Sequence, residues 1–323
     1  MVDVSIIVVA WNVRKLLYDC LKSVYDQTKG IDFEVIYVDN ASEDGSTDMV
    51  KRDFPKVRII ENEENEGFIR ANNQAIEIAQ GKYVLLLNSD TIVLDNAITK
   101  TVRFADKHPD AAVVGCRVLN PDGTLQRTCF MSHSILNSFL TATYLYKIFP
   151  KSKFFGREYM TWWDGSDVRE VEGIGGCYAL VRKEAIEQVG LMDDTFFFYG
   201  DDVDWCYRFR QSGWKIIFTP DPQIIHYGGQ NTKQMPETFF LQLVGARLLF
   251  MRKQNKMTFP LACLLMTFFL FVRVPYWITV GTLRENERKK SIQTAKTYLR
   301  AGFYCLVDWK KLLMNKEAVK ERL

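Results

Sequence analysis

The chain has no CxxC pair and no zinc-type spacing among its seven cysteines, which lie singly at Cys20, Cys116, Cys129, Cys177, Cys206, Cys263 and Cys305. That scatter argues against a disulfide framework or a thiolate metal site, and buried free thiols in a reducing compartment are expected. The turn after the first apolar run, AWNVRKL, has no glycine, so the G-x-G-x-x-G loop of a dinucleotide dehydrogenase is missing, as is a P-loop. The glycine-rich basic loop of a nucleotidyltransferase is missing from the same place. The start, MVDVSIIVVAWN, enters a strand without the basic start and longer apolar run of a secretory leader, so the catalytic part is expected to stay in the cytoplasm.

What is present is material for a large core. At 323 residues, 47% hydrophobic and 25% charged, the chain has room for one large α/β domain with an appendage. The net charge is only +3, yet residues 247–323 hold sixteen Lys/Arg against five Asp/Glu, so the body is mildly acidic and the tail basic.

Strands and helices alternate along the first third. Residues 4–10 form a β-branched strand, and 15–27 place Leu16, Leu17, Cys20, Leu21 and Val24 on one helical face. Further strands are expected at 34–38 and 57–60, then a helix at 67–80 stopped by Gly81. The run YVLLLNSDT, 83–91, reads as a central strand buried on both faces that ends in Asn88, Ser89 and Asp90. Such βαβ units make a parallel sheet. Ala10-Trp11-Asn12, Asp39-Asn40 and Asn88 to Asp90 then line one carboxyl edge, where open α/β sheets bind ligands. An oxygen-rich strand end of this kind can hold a hard divalent cation, and the cation a diphosphate.

Further on, Gly173-Ile174-Gly175-Gly176 precedes an alternating strand at 177–181, and clustered glycines let backbone approach a ligand closely or simply bend. Tyr199-Gly200-Asp201-Asp202-Val203-Asp204 packs three carboxylates into four residues ahead of a helix at 205–211. Like charges so close repel, and either they cap that helix or the site uses them. His226 closes a short apolar strand at 223–225. Trp162, Trp163 and Asp164 form a loop whose rings either stack on sugars or lid the core.

In order, VSIIVVAWN, EVIYVDNASEDGST, RIIENEENEGFIRANNQAI, YVLLLNSDTIV, GIGGCYALVRKEAIEQVG and FFFYGDDVDWCYRFRQSGWKIIFTPDPQIIHYGG resemble the signature blocks of family 2 glycosyltransferases. The resemblance spans residues 4–229 and is strongest to the rhamnosyltransferase-like branch that builds surface polysaccharides. It implies a GT-A fold, Rossmann-like, with a mostly parallel central sheet and flanking helices. A nucleotide-sugar, from UDP or dTDP, would lie across the strand ends.

The same resemblance assigns roles. Asp90 is the last residue of the family's DxD position and, with His226, would hold Mg2+ or Mn2+; Asn88 stands where the first aspartate is usual. Asp39 would accept a hydrogen bond from the imide N–H of uracil or thymine, and Arg70 would reach the diphosphate. Ala10, Trp11, Asn12, Asn40, Ser89, Gly175 and Gly176 would border the donor, and Trp162 and Trp163 the acceptor. Asp202 would be the general base that takes the acceptor hydroxyl's proton, with Asp201 and Asp204 supporting it. Displacement from the far side inverts the anomeric centre.

In the tail, 259–272 is strongly apolar, but fourteen apolar residues followed by Arg273 and Pro275 argue against one clean span. A second helix at 291–313 mixes aromatic and basic residues in the manner of a membrane-surface segment. Interfacial or re-entrant helices are expected, with a transmembrane hairpin or a soluble dimerisation bundle as the alternatives. The expectation is a catalytic domain over 1–240 and a membrane-associated helical region over 241–323, peripheral or monotopic on the cytoplasmic face. The implied enzyme is an inverting glycosyltransferase, rhamnose its first-choice sugar, acting on a lipid-linked or polysaccharide acceptor without a nucleic-acid partner. A non-catalytic nucleotide-sugar scaffold is the rival reading, and self-association stays open. A processive synthase would need a QxxRW-type motif and several long spans, which are missing.

Overall fold

The apolar runs at 4–10, 33–39 and 83–87 become largely buried strands, as in a sheet covered by helices, while the short run at 58–61 stays partly exposed. The computed structural model describes residues 2–197, 199–228 and 236–313. Two compact units emerge: Met1–Ser132, Tyr159–Thr195 and Asp201–Gln230 form the first, and His133–Glu158, Phe196–Gly200 and Asn231–Leu323 the second.

The first unit runs β1 (Val4–Ala10), α1 (Arg14–Gln27), β2 (Phe33–Asp39), α2 (Ser46–Asp53), β3 (Arg58–Glu61), α3 (Gly67–Ile78) and β4 (Tyr83–Leu87). It continues through β5 (Thr91–Val93), α4 (Ala97–Asp106), β6 (Ala111–Leu119), β7 (Leu125–Gln126) and β8 (Cys129–Phe130). The chain then passes into the second unit as α5 (Ile135–Ala142) and α6 (Leu145–Ile148). It returns as β9 (Arg169–Glu170), β10 (Gly173–Ile174), β11 (Tyr178–Arg182), α7 (Lys183–Val189), α8 (Asp201–Gln211) and β12 (Lys215–His226).

The main sheet has the order β3-β2-β1-β4-β11-β6-β12-β5. Six of these eight strands point the same way; only β11 and β5 run against them, so the architecture is α/β with a mostly parallel sheet. Wedged between β4 and β6, β11 is buried at all five residues, where the sequence pattern suggested alternation. Gly81 is required at the entry to β4, since a Cβ there would stand 2.4 Å from the backbone nitrogen of Ser5. All seven cysteines are buried and free.

Three elements differ from expectation. Residues 46–53, for which the sequence pattern suggests no element, form α2, whose Met49 and Val50 reach the core. The last strand begins at Lys215, not at 223: Pro220 and Pro222 fall where the β6 register shifts between Phe218 and Gln223, and such an irregularity accommodates residues that would otherwise end a strand. Helix α8 starts at Asp201, so the acidic residues sit in its first turn.

The second unit contains α5 and α6 together with α9 (Pro236–Gln254), α10 (Phe259–Leu283) and α11 (Arg288–Val307). The boundary expected at 240 falls inside α9, and 133–158, read as part of the catalytic region, belongs with the tail helices. The apolar run expected to break at Arg273 and Pro275 is one continuous helix of 25 residues, long and apolar enough to cross a membrane by length and composition. Its most apolar window is only 28% buried. Leu248, Leu270, Ala301 and Leu312 are almost fully buried in this unit's core.

Candidate active site

Parallel register sets the edge. Ala10 pairs with Asp39, and Ile7 with Leu86, so the loops after β1, β2 and β4 open side by side. Asn12 and Ala41 leave their strands with φ of +52° and +63°, conformations that cost a non-glycine residue on the order of 1 kcal/mol and concentrate at functional sites. The loops are laced together: the Asn12 N–H donates to Ser42 Oγ at 3.0 Å, and Asn12 Oδ1 accepts from the Glu43 N–H at 2.8 Å. Asp39 is 5% exposed; its Oδ1 accepts from the Tyr37 hydroxyl at 2.6 Å and its Oδ2 from the Ser42 N–H at 3.0 Å. Each carboxylate oxygen keeps acceptor capacity beyond these bonds.

Asn40 departs from its expected role. Its side chain is buried, donating to the Gly67 carbonyl at 3.2 Å and accepting from Asn62 at 3.0 Å, so it braces the start of α3 instead of facing a donor. Arg70 lies on α3 half exposed, with Asp194 at 3.1 Å and Glu66 at 3.8 Å, and reaching a diphosphate would require it to exchange those partners. Ala10 is buried, while Trp11 and Ser89 are half-buried on the edge.

The second corner joins residues far apart in sequence. Because β5 pairs antiparallel with β12, His226 stands opposite Thr91, and its Nε2 lies 3.2 Å from Asp90 Oδ1 and 3.3 Å from the Asn88 amide. Burial opposes charge on this ring, but Asp90 and the neighbouring Cys177 sulfur hold a proton on it, raising its pKa to about 10. Carboxylate, imidazole and carboxamide are donors suited to Mg2+ or Mn2+. Among the described residues no group of three His, Cys, Asp or Glu converges.

One residue here was not anticipated. Gln126, on β7, accepts from His226 Nδ1 at 2.5 Å. Its own NH2 donates to the His226 carbonyl at 3.1 Å and to Asn120 Oδ1 at 2.8 Å, which fixes the amide's orientation. Nδ1 therefore carries a hydrogen toward Gln126, and Nε2 is aimed at Asp90. Partners of this kind orient metal-binding histidines. A lone glutamine 100 positions away offered no sequence signal.

The third corner is acidic. Asp202 Oδ1 accepts from the Val203 N–H at 2.8 Å, and the Gly176 N–H bonds the same carboxylate. A Cβ on Gly175 would come 3.8 Å from Asp202 Oδ2, so the glycine segment runs alongside the carboxyl group. The next residue, Cys177, accepts from the Asn88 N–H at 3.1 Å, which puts the Gly175–Cys177 backbone between the acidic corner and the His226 corner. Burial, and for Asp201 also the charge of Asp202, raises the pKa of both residues well above the ordinary carboxylate range, against the favourable helix N-terminus. Asp204 is different: Arg208 bonds it at 2.7 Å and grips the carbonyls of Val189 and Leu191, which pins α8 to the loop after α7.

Of the two aromatic candidates, Trp163 is a core lid. It is 7% exposed, meets Phe218 edge-on at 4.8 Å and donates to Asp167, so its ring is not offered to a sugar. Trp162 is half-buried with the Arg169 guanidinium 4.9 Å from its ring.

The mostly parallel sheet thus carries a carboxylate and a carboxylate–histidine pair at its strand ends, and an acidic pair opens α8. Residues 5–190 match glycosyl transferase family 2, and the chain belongs to that family. It is a glycosyltransferase. It is 26% identical over 213 residues to the N-acetylglucosaminyl-diphospho-decaprenol L-rhamnosyltransferase of Mycobacterium tuberculosis, covering 62% of this chain and 69% of that one. It is 27% identical over 233 residues to the O-antigen biosynthesis protein RfbC of Myxococcus xanthus, covering 69% of this chain and 17% of that one. Among solved structures it resembles the mannosyltransferase PcManGT of Pyrobaculum calidifontis, in complex with GDP-Man and Mn2+, with a TM-score of 0.57 at 17% identity over 94% of this chain and 87% of that one. That likeness bears on the fold.

Proposed function

We propose that this chain is an inverting glycosyltransferase that moves a sugar, rhamnose as first choice, from a dTDP- or UDP-activated donor to a lipid-linked saccharide in cell-surface glycan synthesis. The observation that carries the mechanism is the Asp202 carboxylate, half-buried beside the Gly175–Gly176 backbone with a raised pKa. A raised pKa makes a carboxylate a better proton acceptor once it is ionised, which is what a general base needs. Asp202 takes the proton of the acceptor hydroxyl as the new bond forms, and Asp201 beside it keeps the site's basicity high. On the leaving side, Asp90 and His226 hold Mg2+ or Mn2+, which when bound offsets the charge growing on the nucleoside diphosphate. Asp39 selects a base with an imide N–H, through acceptor capacity left on its buried carboxylate. Rhamnose and a polyprenyl-linked acceptor rest on the mycobacterial relative's name and on the basic, apolar tail, which suits work at the cytoplasmic membrane surface.

The test is a panel of nucleotide-sugars with purified, detergent-solubilised protein and Mn2+ or Mg2+, scored for nucleoside diphosphate release and for the anomeric configuration of the product. Release from one donor, lost in Asp202→Asn while donor binding persists, is the expected result. Binding of several donors without turnover on any lipid-linked acceptor would refute it.

A further inference from the structure

Residues 133–158 carry an exposed apolar surface outside the candidate active site. Ile148, Phe149 and Phe154 are 66%, 49% and 52% exposed, and the exposed Lys147 and Lys151 stand among them. Aromatic and aliphatic groups fringed by lysine suit the boundary of an anionic bilayer, where the rings bury and the ammonium groups meet headgroups. The segment is firmly built in. Glu158, 3% exposed, accepts from Arg247 of α9 at 2.5 Å and from Thr141 at 2.6 Å, with His133 at 3.1 Å.

Its contacts with α10 fall near the midpoint of that helix. Phe139 meets Phe269 at 5.5 Å, and the Arg273 guanidinium lies 4.5 Å from the Tyr144 ring. Along its outer side α10 exposes Leu264, Phe268, Val272 and Tyr276, a stripe at helical spacing from 56% to 62% open. α11 runs back along α10, with Thr267 Oγ1 donating to the Gly302 carbonyl at 3.3 Å, and Lys296 lies exposed in its central turns. If α10 crossed a bilayer in this arrangement, it would draw Arg273 and Lys296 to mid-depth and the lysine-bearing segment in with them, where cations are strongly disfavoured.

We infer that 133–158, α10 and α11 form one docking face for an anionic membrane, with α10 lying along the headgroup boundary and not crossing it. This rests on the membrane association proposed above and assigns it a second anchor, far from the tail in sequence. The experiment is flotation of the full-length protein with vesicles of phosphatidylcholine alone or mixed with phosphatidylglycerol. The unaltered protein is expected to bind the anionic vesicles at least tenfold more tightly. Lys147→Glu combined with Lys151→Glu, and separately Ile148→Asp, are expected to weaken that binding at least tenfold without lowering the thermal unfolding midpoint. Phe268→Asp on α10 serves as comparator. Cysteines placed at Met257 and Leu283, 90% and 78% exposed near the two ends of α10, are treated with an impermeant maleimide on vesicle-bound protein. Both are expected to react from the side of addition.

Protection of one end alone would mean that the helix crosses, and would overturn the inference. Full binding by the Lys147, Lys151 and Ile148 variants, alongside loss in Phe268→Asp, would overturn the second anchor and leave the tail's association standing. Failure of the unaltered protein to bind either vesicle at low salt would remove the underlying membrane reading itself. Concentration-dependent dimerisation abolished by Ile148→Asp, without vesicle binding, would place a second copy on the face and refute the inference.

Discussion

Two corners of one sheet edge hold the same side chain in opposite electrostatic company. Asp90 has the His226 ring 3.2 Å away, whereas Asp202 is bonded by backbone N–H groups and has Asp201 beside it. A carboxylate beside an imidazole can share a metal with it once the ring gives up its extra proton, and one crowded by another carboxylate takes up a proton readily. In the proposed mechanism Asp90 serves the leaving diphosphate and Asp202 the incoming hydroxyl. One chemical group would then serve two ends of a single displacement because its neighbours differ.

The sharpest way to break this comparison is to neutralise each carboxylate separately. Asp202→Asn is expected to lower kcat by about 10²–10⁴-fold, the usual worth of a positioned base, with Mn2+ and donor affinity kept. Asp90→Asn is expected to weaken Mn2+ binding first, measured by calorimetry or Mn2+ EPR. If both substitutions move the same parameter, the division of labour fails. Next in size, Gln126→Ala should weaken Mn2+ affinity by about 10–100-fold while kcat at saturating metal changes little, because the glutamine acts only through the His226 ring.

The acidic corner should also be visible in pH. The transfer rate is expected to fall as pH drops through the pair's raised titration, between the ordinary carboxylate range and neutrality, since a protonated base cannot accept. For stability the sign is opposite to that of a salt-bridged carboxylate. A carboxyl group whose folded pKa is raised contributes most below its unfolded pKa, and the contribution is lost as pH rises through the folded value. Asp201→Asn should therefore unfold a few degrees higher than the parent at pH 8, about 2–4 °C per kcal/mol recovered, and at the same temperature near pH 4. A parent as stable as Asp201→Asn at pH 8 would mean the corner carries no stored repulsion. The smallest effect is local: Ala41→Gly removes a left-handed alanine at the donor edge and should change stability by no more than about 1 kcal/mol, since relief of strain is offset by chain entropy.

Much of the fold was legible because strand burial writes itself into consecutive β-branched residues. The strand expected at 4–10 is the observed β1, and the three expected strand ends do line one edge. Asp90 and His226 were paired by family resemblance, and the ladder between β5 and β12 supplies the physical reason they meet. Asn40 and Trp163 were not decidable from sequence for a common cause. A polar or aromatic residue in a loop looks available in sequence, and only packing shows that Asn40 is consumed by Gly67 and Asn62, or Trp163 by Phe218. Gln126 was invisible because a second partner of a histidine is defined by direction, not by residue type.

Sequence alone determined the alternation of strands and helices, the polar strand ends, the acidic run at 201–204 and the charge contrast between body and tail, all of them properties of neighbouring residues. Tertiary structure decided which of those groups converge. It turned Gln126 onto His226, set the Gly175–Cys177 backbone between the two corners, gave Asp204 to Arg208, and assigned 133–158 to the helical unit. Spacing along the chain constrains what can be near only within a few residues. Across some 100 positions, proximity is set by sheet order and by which buried polar groups find partners.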